Sequence, residues 1–333
     1  MSDGFNLRLR RPRPSVVACS PTLGALGAVN LMPAYFAEED ALETRLVRPS
    51  RRRRRPVSAL LRWLTYFAAA VTAAVLLFVV GYILVRGVPA LTPDLFQWEY
   101  TSENVSLLPA LASTVIMALL ALALAVPVGV GAAIYLVEYA RRGSRFVRLV
   151  RVTAETLQGI PSIIYGLFGM LFFVTACGWG LSLLSGACTL AIMVLPVIMR
   201  TTEEALLSVP DSYREGGFGL GAGRLRTVAR CVLPSAVPGI LGGVILALGR
   251  CVGEVAALLF TAGTVAQIPD FGGQGIFALF DSCRTLAVHM YTLACEGLHV
   301  NEAYATSVVL LILVLLLNAA MRVVAQRMEV SKK

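Results

Sequence analysis

The sequence predicts an all-α membrane protein with six transmembrane helices, on the basis of three observations. Hydrophobic residues make up 57% of the 333 residues and charged residues only 15%, with a mean hydropathy of +0.75. Uncharged stretches exceed the roughly 20 residues that a helix needs to cross a bilayer. Loops rich in basic residues alternate with loops that contain few of them. A soluble domain cannot cover this much apolar surface, and a disordered chain would be poor in it.

The uncharged stretches place the spans in order. The segment 63–85 holds the first, and 104–137 holds the second near 109–137. The segment 156–199 is uncharged for 44 residues. We divide it at Cys177–Gly180, a natural turn, into the third and fourth spans. The fifth lies near 236–262 and the sixth near 303–323. A β-barrel would instead show short alternating segments.

Basic residues predict the orientation of these spans. Residues 1–62 carry 12 Lys or Arg, and the loops 138–155 and 200–234 carry five each. The loops 86–103 and 263–302 carry one each. Because cytoplasmic loops are rich in Lys and Arg, we expect both termini to be cytoplasmic. The excess of Lys and Arg that gives the net charge of +9 is then explained by loops held on the cytoplasmic side of the membrane. No nucleic-acid partner is expected.

The chain divides into four predicted regions. These are a disordered basic cytoplasmic extension (1–56), the first span with its outer loop (57–108), a transmembrane core containing the loop 200–234 (109–325), and a cytoplasmic tail (326–333). In the extension we expect the run Arg51–Arg55 to meet anionic lipid headgroups. A folded module in residues 1–56 is the less favoured alternative.

The loop 200–234 is the longest polar stretch inside the core. A helix is predicted to begin after Pro210, capped by Asp211 or Ser212, and to break at Gly221. A second short helix is predicted over 224–232. Pro234 is expected to end the segment where the chain re-enters the membrane.

This loop resembles the cytoplasmic motif of ABC importer permeases, which reads Glu-Ala-Ala, three residues, Gly, nine residues, Ile-x-Leu-Pro. Here Glu215-Gly216-Gly217 is followed at the same spacing by Gly221 and by Cys231-Val232-Leu233-Pro234. Glycines replace both alanines and cysteine replaces isoleucine. Each Ala to Gly change lowers the stability of a helix by about 1 kcal/mol.

The resemblance implies that residues 200–234 are a coupling loop, which docks into a groove of an ATPase subunit. We expect Tyr213, Phe218 and Leu220 to fill the groove, with Glu215 and the arginines at its rim. The complete set of predicted coupling residues is Tyr213, Glu215, Gly216, Gly217, Phe218, Leu220, Gly221, Leu233 and Pro234. The alternative is an ordinary basic loop on a membrane surface.

Three further segments, 159–169, 233–240 and 249–263, resemble the PstA family of phosphate importer permeases. The resemblance covers about residues 57–325. It implies import of inorganic phosphate across a bacterial cytoplasmic membrane. PstA chains commonly read Gly-Glu-Thr-Ala-Pro where this chain has Gly253-Glu254-Val255-Ala256-Ala257. The missing proline predicts a straighter outer half of span five.

The same resemblance implies the partners: a PstC-like sister permease, two PstB-like ATPase subunits and a PstS-like periplasmic phosphate-binding protein. The sequence contains no G-x-x-x-x-G-K-[ST] pattern. We therefore expect the partner ATPases to use ATP and Mg, and this chain to bind no cofactor and to be a transport subunit rather than an enzyme.

Arg250 and Glu254 are two charges within predicted span five. A charge at the centre of a span costs about 2.5–3.5 kcal/mol on insertion scales, so both are expected to face a protein interior or a wet path. Four residues apart, they would share a helix face. Arginine binds phosphate with two parallel hydrogen bonds. We interpret Arg250 as the phosphate ligand and Glu254 as its resting counter-charge; a structural ion pair is the alternative.

The predicted outer loop 263–302 contains Cys283 and Cys295, and a disulfide between them is left open. Its histidines, His289 and His299, lack a matching ligand set, so no metal site is predicted. Gly159, Gly166 and Gly169 are expected to permit close helix packing. Glu138 and Glu155 are expected to balance nearby arginines.

Three other functions remain as alternatives. A permease for another oxyanion, such as molybdate or sulfate, fits the coupling motif equally well. An ion-driven secondary transporter is disfavoured because the sequence shows neither repeats nor broken helices at the midplane. A membrane scaffold or phosphate sensor would leave Arg250 and the coupling loop without a mechanical role.

Overall fold

A computed structural model describes residues 56–330 except Ser102 and Arg142. Predictions for residues 1–55 and 331–333 lie outside these described residues. The helices are α1 (Pro56–Gly87), α2 (Leu108–Tyr139), α3 (Arg145–Gln158), α4 (Ser162–Ala176), α5 (Leu183–Leu207), α6 (Asp211–Gly219), α7 (Arg224–Gly253), α8 (Ala256–Thr261), α9 (Leu286–Glu296) and α10 (Val300–Val330). The described part contains no strand.

The chain separates into two units after Thr72. The described part of the first unit is the beginning of α1, where Trp63 stacks on Phe67 with ring centroids 6.0 Å apart. The second unit holds the end of α1 and all later helices. Within it, α1 ends against α10, because Gly87 lies so close to Tyr304 and Val308 that a side chain there would clash.

The predicted all-α fold is confirmed, and the six predicted spans compare with five or six candidate spans among the described residues. Five helices are long and apolar enough to cross a membrane, namely α1, α2, α5, α7 and α10. A sixth crossing requires α3 and α4 together, which are bent by 102° relative to each other. The orientation of the termini stays a prediction.

The bend between α3 and α4 corrects the start of the predicted third span. Pro161 disfavours helical backbone at Ile160, so α3 ends at Gln158 and α4 begins at Ser162. The Tyr165 hydroxyl donates to the Leu157 carbonyl at 2.7 Å and closes the elbow. The helix that follows the bend therefore begins at Ser162 rather than at 156, and the basic α3 lies at an angle of 102° to it.

Span five differs from prediction at both ends. Pro234 does not end the polar segment, because α7 runs unbroken from Arg224 to Gly253. A wider π-helical turn at Val228–Val232 precedes the proline, and such a turn accommodates a residue that lacks an amide hydrogen. At the other end α7 stops at Gly253, where Glu254 has extended backbone (φ −77°, ψ 130°), and α8 follows. The loss of the family's proline has not straightened this half.

The structure thus contains two helix breaks that the sequence did not reveal. Breaks lie between α3 and α4 and between α7 and α8, and they pack together. A Cβ atom at Gly166 in α4 would lie 2.8 Å from the Ala257 Cα of α8. At Gly169 it would clash with Thr189 and Thr261. The packing role predicted for Gly166 and Gly169 is confirmed, whereas Gly159 lies in the elbow without a close neighbour.

The main core lies between α2, α5 and α7. Its fully buried side chains include Met117, Leu190, Met193, Ile198 and Ala247. A second core surrounds the predicted cytoplasmic ends of these helices and includes Leu136, Leu206 and Val232. The second core supports the coupling segment described next.

Candidate functional site

The coupling segment forms the predicted first helix and turn. Neither Asp211 nor Ser212 provides the predicted side-chain cap, and the second helix, predicted over 224–232, continues to Gly253. Helix α6 begins directly after Pro210, as predicted, and the chain turns at Gly221 with a φ of +77°. Glycine adopts this left-handed backbone without the strain that other residues incur. The Gly221 amide donates to the Phe218 carbonyl at 2.9 Å and the Ala222 amide to the Gly217 carbonyl at 3.1 Å. Helix α7 then begins at Arg224.

The two glycines that replace the motif alanines differ in their surroundings. A Cβ atom at Gly216 would meet nothing within 4 Å. At Gly217 it would lie 2.7 Å from Thr227 Cγ2 and 2.8 Å from Thr227 Oγ1. Gly217 is therefore matched to the bulk of Thr227 on α7, and this contact holds the two arms of the segment together.

The surface of the segment is apolar and exposed. Leu220 at the turn is 90% exposed, and Tyr213 and Phe218 are about half exposed, at 51% and 49%. Leu225, which the motif does not single out, is 73% exposed beside them. Glu215 is also exposed. The predicted groove-filling side chains are thus about half or more exposed on the surface of the segment.

Arg214 attaches α6 to the core, a role that sequence reasoning missed. Its Nε and Nη2 atoms donate to Oε1 of the buried Glu138 at 3.0 and 2.8 Å. Its remaining hydrogen bonds go to the Leu206 and Val209 carbonyls and to the Asp211 carboxylate. All five donors of the guanidinium are used. The motif spacing gives no sign of this, because Glu138 is 76 residues away.

Two ion pairs join α3 to α5, and each helix contributes the arginine of one pair and the glutamate of the other. Arg151 of α3 contacts Glu203 of α5 at 2.5 Å, and Arg200 of α5 contacts Glu155 of α3 at 2.7 Å. Arg200 also reaches Glu204 at 3.2 Å. The predicted balancing of Glu138 and Glu155 by arginines is confirmed.

The predicted pair of Arg250 and Glu254 is not formed. No ion pair joins them within the described chain, because the helix ends at Gly253 and the four-residue relationship is lost. Glu254 Oε1 instead accepts from the Ala257 amide at 3.2 Å and caps α8. The ion pair is thus absent from this structure, and Glu254 as resting counter-charge stays a prediction.

Arg250 lies in the last turn of α7, half-buried where the two helix breaks meet. Tyr165 of α4 is buried within electrostatic reach of its guanidinium. Sequence reasoning did not assign Tyr165 to the site, although it lies in the segment 159–169 that carried the family resemblance. Arg250 therefore makes no ion pair in this structure and keeps donors available for an anion.

The outer segment holds no disulfide between the two cysteines considered. Cys283 is fully buried and Cys295 is exposed on α9, and both thiols are free. Burial raises the pKa of Cys283 to about 12. His289 is fully buried, and burial together with the Arg284 charge lowers its pKa to about 3. Among the described residues, no group of three His, Cys, Asp or Glu side chains is placed to hold a metal.

Comparison with known proteins agrees with this geometry. The family described as "Binding-protein-dependent transport system inner membrane component" matches residues 125–330. The "Probable ABC transporter permease protein YqgI" of Bacillus subtilis is 36% identical over 76% of this chain and 90% of its own. The "Phosphate transport system permease protein PstA" of Mycobacterium leprae is 32% identical over 79% and 88%.

Solved structures share the fold. A chain of a bacterial ABC transporter involved in the import of the acidic polysaccharide alginate matches with a TM-score of 0.57 and 15% identity, covering 82% of this chain and 99% of that one. A chain of the inward-facing MetNI methionine transporter matches with a TM-score of 0.51 and 22% identity, covering 67% and 94%. The protein thus belongs to the binding-protein-dependent transport system inner membrane component family and is a multi-pass, PstA-like permease of the type I ABC importers.

Proposed function

We propose that this chain carries inorganic phosphate through the membrane as one permease subunit of an ATP-driven importer. The observation that carries the proposal is Arg250, an arginine in the last turn of a broken span that has no carboxylate partner among the described residues. A guanidinium can donate two parallel hydrogen bonds to phosphate. Identity of 32–40% to several PstA phosphate permeases supports this substrate.

Glu254 has a different role in this proposal. By accepting from the Ala257 amide it holds the break that places Arg250 at the end of α7. A carboxylate held four residues away from Arg250 also repels an anion that stays bound to the arginine. It therefore favours release without neutralising the arginine at rest.

The coupling segment is proposed to bind an ATPase subunit through Tyr213, Phe218, Leu220 and Leu225. Exposed apolar side chains on a short, anchored helix fit a preformed groove. ATP hydrolysis by two such subunits, beside a PstC-like permease and a periplasmic phosphate-binding protein, supplies the motion. The transporter is proposed to lie in a bacterial cytoplasmic membrane, with both termini of this chain in the cytoplasm.

Uptake of labelled phosphate, sulfate and molybdate at micromolar concentration tests the substrate, in cells with and without the chain. We expect selective loss of phosphate uptake without it. Arg250→Gln should lower phosphate uptake at least tenfold while the complex assembles in normal amount, and Arg250→Lys should give an intermediate rate. Arg322→Gln, an exposed arginine on α10, is the control. Selective loss of uptake of another anion, or normal phosphate uptake by Arg250→Gln, contradicts the proposal. Failure of the Arg250→Gln complex to assemble indicates a structural role for Arg250.

A further inference from the structure

A basic cavity lies between the coupling helix and the end of α2, and the phosphate path does not use it. Its volume is about 490 Å³. Its lining comes from the end of α2, the connection to α3, the first half of α3, the end of α5, and α6 with the start of α7. The charged residues in the lining are Glu138, Arg141, Arg151, Asp211, Arg214 and Arg224. We call it the arginine cavity.

Both carboxylates that line the arginine cavity are already paired with an arginine. Glu138 and Asp211 both accept hydrogen bonds from Arg214, whose five donors are all used. The other three arginines keep free donors. Arg151 makes one contact, to Glu203. Arg141 and Arg224 form no ion pair with any residue that the structure describes, and Arg224 lies over the Tyr139 ring at 5.6 Å. The cavity therefore has an unbalanced positive charge.

This arrangement is suited to a phosphoryl group. Arginine forks from two sides can surround a compact oxyanion with charge-assisted hydrogen bonds. The volume exceeds the size of one phosphate and leaves space for its hydration or for an attached group. We propose that the arginine cavity binds a phosphate-bearing anion, held chiefly by Arg141 and Arg224.

Two sources of this anion fit the position of the cavity. Free inorganic phosphate is one. A phospholipid headgroup is the other, because the cavity borders α3, which turns by 102° into the apolar α4. Basic helices at the predicted cytoplasmic surface attract anionic lipid. Both sources present the same phosphoryl oxygens to the same arginines.

Occupancy would act on the coupling helix. Arg141 lies on the connection between α2 and α3, whereas Arg224 begins α7 directly after the turn at Gly221. An anion bound to both arginines ties the coupling turn to the α2–α3 connection. Since α6 has to move with the ATPase during transport, we expect occupancy to slow coupled turnover. The site is thus regulatory and independent of the substrate path.

The test uses the complete complex with its partner subunits, in nanodiscs of neutral phosphatidylcholine. Every sample carries Arg250→Gln, so that the proposed substrate path contributes nothing. Binding of radiolabelled inorganic phosphate is compared between this background, the added pair Arg141→Gln and Arg224→Gln, and the added control Arg226→Gln. Arg226 is exposed on the same helix but does not line the cavity. A parallel arm measures phosphatidylglycerol retained by complexes purified from mixed-lipid nanodiscs.

We expect the double variant to weaken phosphate binding at least tenfold, which corresponds to the loss of about one charge-assisted hydrogen bond. Arg226→Gln should leave phosphate binding unchanged. If phosphate does not bind but phosphatidylglycerol is retained, and only the double variant loses it, the headgroup is the ligand. Equal binding of both anions in all variants overturns the proposal. Loss of ATPase association by the double variant, with anion binding unchanged, also overturns the proposal, because it would assign the cavity to the subunit interface. None of these outcomes depends on whether Arg250 carries phosphate.

Discussion

Arg214 of the coupling helix and Glu138 at the end of α2 form a buried ion pair with a separation of 2.8 Å. The side chains are 16% and 7% exposed. Carbonyls from the end of α5 and its following loop complete the shell around the guanidinium. Motion of α6 is therefore transmitted directly to the ends of α2 and α5, which form the core of the membrane domain.

Removing one partner of this pair should be costly. We expect Glu138→Ala or Arg214→Ala to lower the free energy of unfolding by about 3–5 kcal/mol, because each leaves a buried charge uncompensated. The double variant should lose less than the sum of the two. A double-mutant cycle on the thermal stability of the purified protein measures this difference. Additive losses would show that the pair does not attach the coupling helix.

The two motif glycines should respond in opposite directions to alanine. Gly216→Ala should stabilise α6 by up to about 1 kcal/mol, because the position is open and alanine is the better helix former. Gly217→Ala should destabilise by about 1–3 kcal/mol, because Thr227 occupies the space. Adding Thr227→Ala to Gly217→Ala should restore stability. Melting temperatures of the four proteins check this, and equal behaviour of the two glycines would contradict it.

Close packing of the two helix breaks makes Gly166 sensitive to substitution. A methyl group there meets the backbone of Ala257 at 2.8 Å, and backbone cannot rotate away. We expect Gly166→Ala to cost about 1–3 kcal/mol. The matched control is Gly242→Ala in α7, which meets nothing within 4 Å and should be neutral or stabilising. Thermal unfolding in detergent distinguishes them; an unchanged Gly166→Ala would disprove the close approach.

His289 should make the outer segment sensitive to acid. Tyr100 lies edge-on to its ring and Arg284 lies over Tyr100, so protonation would add a second charge to a buried site. With a folded-state pKa of about 3 and an unfolded value of about 6.5, the stability present above pH 6.5 is lost as the pH falls toward 3.

At pH 5 the loss should be about 2 kcal/mol. His289→Leu should flatten the profile of melting temperature between pH 7.5 and pH 5. A His289→Leu profile as steep as that of the parent chain would refute the assignment.

Several features followed from the sequence because they depend on local or compositional physics. Long uncharged stretches predicted most of the spans, since a bilayer requires about 20 apolar residues. The helix at 211–219, the turn at Gly221 and the helix from Arg224 followed from residues within a few positions of one another. The exposed Tyr213, Phe218 and Leu220 agree with the motif for the same reason.

Only the tertiary structure decided the remaining features, since they join residues that are distant in the chain. The partnership of Glu138 with Arg214, the match of Gly217 to Thr227 and the approach of Gly166 to Ala257 have no local pattern. The spacing of Arg250 and Glu254 predicted an ion pair on one helix face, but the helix ends between them. Periodicity presupposes an unbroken helix, whereas α7 ends at Gly253 and the following α8 packs against α4.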